Sequence, residues 1–98
     1  MLQKTEFIWF DGKLVPWDQA QVHVLAHGLH YGTGVFEGIR AYACPDGSSA
    51  VFRLPEHSKR LVNSAKILGI DMPYTADEIS KAIVETVVAN KLSEGYIR

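Results

Sequence analysis

A chain of 98 residues with a formal net charge of -1, 47% hydrophobic and 21% charged, has the make-up of one globular domain. Such a balance leaves no electrostatic footprint for nucleic acid or an anionic membrane, and no run approaches the roughly 20 apolar residues of a membrane span. The first ten residues carry Lys4 and Glu6 in place of a leader's apolar core, and Cys44 is the only cysteine, so no internal disulfide can form and a cytoplasmic location is expected.

In chain order, residues 7–10 and 13–15 flank Asp11-Gly12, the strongest short hairpin signal in the sequence, and Pro16 ends the second arm. Residues 17–25 read as irregular, with one short strand where Val22 and Val24 alternate with His23. Residues 27–31 have room for a single helical turn before glycines stop it. The fourteen residues from His27 to Arg40 hold four of the 8 glycines, and they lead into a β-run over 35–44 that alternates with period two. One face of that run carries Phe36, Gly38, Arg40 and Tyr42. The other carries Val35, Glu37, Ile39, Ala41 and Ala43, an apolar set apart from Glu37. The first face resembles a pocket wall of aromatic, gap and cation, although ordinary β-packing would use the same residues.

A polar turn over 45–49 closes a second hairpin onto residues 50–53. Pro55 suits the first turn of a helix and Gly69 its end, so a helix over 55–68 is expected, burying Leu61, Ala65 and Leu68. Lys59, Asn63 and Lys66 face away, and Arg60 sits on the shoulder beside His57 and Ser64. Thr75 to Glu78 is a capping box with Tyr74 and Ile79 as its hydrophobic staple. A second helix therefore begins near 76, buries Ile79, Ile83 and Val87, and ends near Lys91, whose charge suits the helix dipole. Tyr96-Ile97-Arg98 opens a strand. The whole reads as an α+β domain of two antiparallel hairpins packed by two helices.

Three other constellations compete with this reading. His23, His27 and His30 would share a helical face for zinc only if Gly28 did not interrupt the helix, and no acidic residue follows the first histidine as in zinc proteases. Gly32-Thr33-Gly34 starts like a dinucleotide loop, but Glu37 replaces the third glycine and a strand follows where a helix is needed. Ser58 or Ser64 beside His57 lacks a nucleophile elbow.

The run from His27 to Arg40 resembles the signature of the class IV (fold type IV) pyridoxal-phosphate aminotransferases, most closely their branched-chain members. The likeness extends through Ile8-Trp9-Phe10, Phe52-Arg53, Glu56-His57, Arg60-Leu61, residues 63–66 and Tyr96-Ile97-Arg98. Family members are about three times longer, so the resemblance implies that residues 1–98 are their small N-terminal domain and that the lysine holding the cofactor lies outside this chain. It further implies that Arg60 grips the phosphate of pyridoxal 5'-phosphate. Phe36 and Tyr96 would line the substrate side-chain pocket, with Gly38 as clearance and Arg40 on the same wall. Tyr31 would reach a neighbouring subunit's pocket, hence a homodimer or higher homo-oligomer, and Arg98 would receive glutamate's distal carboxylate. The implied reaction of the intact protein joins leucine, isoleucine or valine with 2-oxoglutarate, giving the branched 2-oxo acid and glutamate. D-amino acid aminotransferase and aminodeoxychorismate lyase share the fold, and a non-catalytic binding or dimerisation module is the reading outside it.

Overall fold

Asp11 and Gly12 both take positive φ, 52° and 94°, in a computed structural model that describes residues 3–98. That conformation is what a two-residue hairpin turn with the strands' own twist requires. It joins β1 (Phe7–Phe10) to β2 (Lys13–Pro16) with Phe10 opposite Lys13. A 3-10 turn at Trp17–Gln19 follows, its first N–H bonded back to the Glu6 carbonyl at 3.0 Å.

The short strand expected at 22–24 does not form. Val22 and Val24 are exposed with no strand beside them among the described residues, and the Ala26 N–H instead closes a turn on the His23 carbonyl. A strand needs a partner more than it needs alternation. The single helical turn is present as α1 (His27–Tyr31), ended by Gly32 at φ 65°.

The run expected over 35–44 keeps its alternation of burial, with Glu37, Ile39 and Ala41 buried between exposed Phe36, Gly38, Arg40 and Tyr42. Its ladder is shorter: β3 spans Ile39–Ala43 only. The neighbours set that length, since β4 (Ser49–Val51) pairs with residues 41–43 and β5 (Gly95–Ile97) with residues 39–41, both antiparallel. The sheet order is β4-β3-β5, separate from the β1–β2 hairpin. The fourth strand also stops before the expected residues 52 and 53. The Phe52 N–H bonds to the Arg40 carbonyl, and Arg53 turns at φ 53° into the next helix.

That helix, α2 (Leu54–Ile67), starts with Pro55 in its first turn. It ends where the Ile70 N–H reaches the Ala65 carbonyl and the Gly69 N–H the Lys66 carbonyl, with Gly69 at φ 75°. Leu61 and Ala65 pack inward as expected, but Leu68, the capping residue just past the helix's last turn, is 53% exposed. Ser58 is buried instead, its hydroxyl 2.7 Å from that of Ser80, a small pair that lets the two helices approach closely.

The second helix, α3 (Ala76–Ala89), has both capping-box hydrogen bonds of Thr75 and Glu78 and buries Ile79, Ile83 and Val87 as expected. Ile39 from β3 meets Ile79 and Ile83 to form the core, with Leu54, Leu61, Tyr74 and Ile97 around them. Asn90, the C-cap, fastens β1 to this helix by accepting from the Phe7 N–H at 2.8 Å and donating to the Phe7 carbonyl at 3.0 Å. The expected α+β architecture of hairpins and two helices is thus present.

Lys91 ends α3 in a way its charge does not explain. It occupies the left-handed position at φ 53°, with its own N–H on the Val88 carbonyl and the Leu92 N–H on the Val87 carbonyl. A Cβ costs energy there that glycine avoids. Lys91→Gly is therefore expected to stabilise the fold by about 0.5 to 1 kcal/mol, read as a raised Tm, whereas a lowered Tm would mean the lysine's charge matters more than its backbone.

Candidate functional site

The register between β3 and β5 sets Arg40 opposite Tyr96 and Ile39 opposite Ile97. Successive residues point to opposite faces, so Phe36, Gly38, Arg40, Tyr96 and Arg98 all project from one side. Arg98 lies with its guanidinium carbon 4.3 Å from the centre of the Phe36 ring and 5.7 Å from that of Tyr96, and its Nη2 donates to the Tyr96 hydroxyl at 3.2 Å. A Cβ built on Gly38 would stand 2.3 Å from that hydroxyl oxygen.

Phe36, Tyr96 and Arg98 border a cavity of about 690 Å³ that Trp9, Trp17 and Tyr74 also line, together with core residues such as Ile39 and Ile79. A guanidinium facing aromatic rings, with no carboxylate paired to it among the described residues, is a cation available to an incoming anion. Gly38 and Arg40, expected on this wall, do not line the cavity, and neither does Tyr31, expected to reach a neighbouring subunit's pocket. Arg40 extends over the Tyr42 ring at 5.8 Å, and Tyr31, 72% exposed on α1, packs against His27 with ring centres 4.5 Å apart.

Glu37, between Phe36 and Gly38, points the other way. Its side chain is only 7% exposed, and the alternation that makes Phe36 a wall residue delivers this carboxylate to the edge of α2. There Arg60 grips it with two parallel bonds, Nε to Oε2 and Nη2 to Oε1, each 2.8 Å, while His57 Nδ1 lies 2.6 Å from Oε1. An ionised carboxylate only accepts, so Nδ1 carries the proton and donates. Hydrogen bonding from Arg60 is the main cause that holds the Glu37 carboxyl down at about 2, against the opposing effect of burial and with His57 assisting. The same pairing raises the Arg60 guanidinium above its ordinary value.

Sequence spacing sets Arg60 beside His57 but assigns Glu37 no role. The signal was present: an acid at an inward position of an otherwise apolar face must find a cation, and His57 and Arg60, three residues apart, share one helical edge. The three histidines read against zinc take separate partners. His27 Nδ1 is 2.6 Å from the Thr33 hydroxyl, His30 Nε2 is 2.8 Å from the Val24 carbonyl, and His23 Nδ1 accepts from the Leu25 N–H.

A carboxyl held below its unfolded value stabilises the fold fully above about pH 4.5, and that contribution fades as pH falls toward about 2. Glu37→Gln is therefore expected to lower Tm at pH 7 and to flatten the fall of Tm between about pH 5 and pH 2. An unchanged acid limb in thermal scans across that range would remove Glu37 as the responsible group.

Residues 34–98 match the family model for amino-transferase class IV. The chain belongs to that family. Across all 98 residues it is 50% identical to the branched-chain-amino-acid aminotransferase of Pseudomonas aeruginosa, of which it covers 32%. Its fold superposes on the crystal structure of the branched-chain amino acid aminotransferase from Escherichia coli with a TM-score of 0.91 at 44% identity, covering 95% of this chain and 30% of that one. The branched-chain amino acid aminotransferase from Thermobaculum terrenum, solved in its PLP-bound holo form, superposes with a TM-score of 0.86 at 32% identity, over 97% of this chain and 32% of that one. The chain thus spans about a third of the length of the class IV relatives it matches. Among the described residues no helix is long and apolar enough to cross a membrane.

Proposed function

We propose that residues 1–98 are the N-terminal domain of a branched-chain aminotransferase. The intact enzyme would use pyridoxal 5'-phosphate to move the amino group of L-leucine, L-isoleucine or L-valine to 2-oxoglutarate. The observation that carries this reading is Arg98, an arginine without an anionic partner among the described residues, lying on the aromatic wall of Phe36 and Tyr96. Such a wall receives a branched apolar tail by burial alone, and the cation at its edge offsets the desolvation of a distal carboxylate. One pocket can therefore serve both substrates.

The residues present also suit the cofactor. Arg60 has five N–H donors and commits Nε and one N–H of Nη2 to Glu37, while 67% of its side chain stays exposed, so donors remain for a phosphate. Glu37 and His57 fix the plane of that guanidinium. Bound there, pyridoxal 5'-phosphate would supply an electron sink at the carbon that loses the amino group. The lysine that bears it belongs, on this proposal, to the part of the relatives' length that this chain does not span. Phe36 and Tyr96 would hold the substrate tail and keep water from it. Gly38 would leave the wall open, and Arg40 would border it from the next step of the strand. The exposure of Tyr31 fits a side chain that completes a neighbouring subunit's pocket, which makes the enzyme a homodimer or a larger homo-oligomer. A lone cysteine suits the reducing cytoplasm.

Two outcomes test these roles in the intact enzyme. Arg60→Ala should lose cofactor on dialysis far faster than Lys59→Ala, its exposed neighbour on the same helix; equal loss would return Arg60 to a purely structural pairing with Glu37. Arg98→Leu should depress the glutamate and 2-oxoglutarate half-reaction at least about tenfold more in kcat/KM than the leucine half-reaction, since leaving a carboxylate unpaired costs more than a changed apolar contact. Equal damage in single-turnover kinetics would show Arg98 holding the fold rather than reading the acid.

A further inference from the structure

Gly38 has two features that clearance for a substrate does not explain. The nearest atoms to its vacant Cβ position belong to Tyr96, with the hydroxyl oxygen at 2.3 Å and the adjoining ring carbon at 3.1 Å. The first is a separation that real Cβ atoms essentially never show, and the second is tighter than nine in ten real Cβ contacts. Gly38 also faces Arg98 across the β3–β5 register when the pairing of Ile39 with Ile97 is continued by one step. The Tyr96 ring, rooted opposite Arg40, leans diagonally over the glycine and brings its hydroxyl under the Arg98 guanidinium at 3.2 Å. Phe36 closes the other side at 4.3 Å.

We propose that Gly38 is a specificity-determining position that acts through Tyr96. Its missing side chain lets the ring lie across the strand, and the ring's hydroxyl then sets where Arg98 presents its charge. This rests on the reading of Arg98 as the receiver of a distal carboxylate.

An arginine side chain has many rotamers of similar energy, and an ion pair formed from a wandering guanidinium must first order it. A stacked ring and one hydrogen bond remove most of that freedom before the substrate arrives. Neither contact adds a negative charge. The guanidinium therefore keeps its demand for an anion, in contrast to Arg60, whose demand Glu37 meets. A methyl group at position 38 would push the phenol off the strand, break its bond to Arg98 and release the guanidinium, leaving Phe36 and the apolar wall in place. A ring covering a glycine across a sheet is also a known device for stabilising strands, which supplies the competing explanation.

The test uses the intact, cofactor-loaded enzyme and two probes of similar size, glutarate and 4-methylpentanoate, with dissociation constants measured by titration. Gly38→Ala and Tyr96→Phe should each weaken glutarate at least about fivefold more than 4-methylpentanoate, in line with loss of one hydrogen bond to a charged group. Single-turnover rates with glutamate should fall more than those with leucine. Combining the two substitutions should weaken glutarate little beyond the worse single variant, because both act through the same oxygen. Tyr96→Phe keeps the ring over Gly38 and removes one atom, so it decides the matter even where Gly38→Ala fails to fold. Equal weakening of both probes with a lowered Tm, or full additivity in the double variant, would overturn the inference and leave the ring as a sheet-covering group. A wild-type enzyme unable to transaminate leucine would overturn the proposed function as well.

Discussion

A buried carboxylate must have its charge answered from within the chain, and Glu37 imposes that demand on everything around it. Its bonds to Arg60 and His57 tie the approach to β3 to the outer edge of α2. They also fix the strand's register. A slip of one residue would turn the carboxylate out and bring Phe36 or Gly38 to the edge of α2, so the ion cluster determines which residues form the outward wall. The hydrophobic core supports the same choice through Ile39, which packs on Ile79 and Ile83.

The two arginines at this end of the molecule differ in how far they are satisfied. Arg60 is held in a planar, two-bond grip by an acid of its own chain and keeps only its remaining donors for a ligand. Arg98 has aromatic faces and a phenol oxygen, which orient it without neutralising it. A held donor set suits a group that stays through many turnovers. An oriented but unanswered charge suits one that comes and goes, and this difference accords with the proposed roles, which the family resemblance suggests, of Arg60 toward the cofactor phosphate and Arg98 toward the substrate carboxylate.

Local signals made much of the fold legible in the sequence. Asp11-Gly12 specifies its hairpin, Thr75 to Glu78 its helix start, and Gly69 a helix end, because each acts over four residues or fewer. The errors fall where a distant partner decides. Val22 to Val24 alternates like a strand but has no strand neighbour among the described residues, and β3 is trimmed to what β4 and β5 can pair. Within the site, the outward face of Phe36, Gly38 and Arg40 followed from period two alone, and the family resemblance named Arg60, Tyr96 and Arg98. Glu37 was visible as an anomaly without a partner. The contact of Tyr96 with Gly38 was not legible, since it depends on a register between residues nearly sixty positions apart.

Class IV relatives named for branched-chain amino acids share this architecture, and the proposed reaction is a transfer of one nitrogen atom between two specified molecules. The direct measurement is to supply the intact enzyme with 15N-labelled L-leucine and unlabelled 2-oxoglutarate, and to follow the label by mass and the product by chirality. Labelled L-glutamate, with 4-methyl-2-oxopentanoate in equal amount, is the predicted result. Labelled D-glutamate, or no transfer of label from L-leucine, would contradict it.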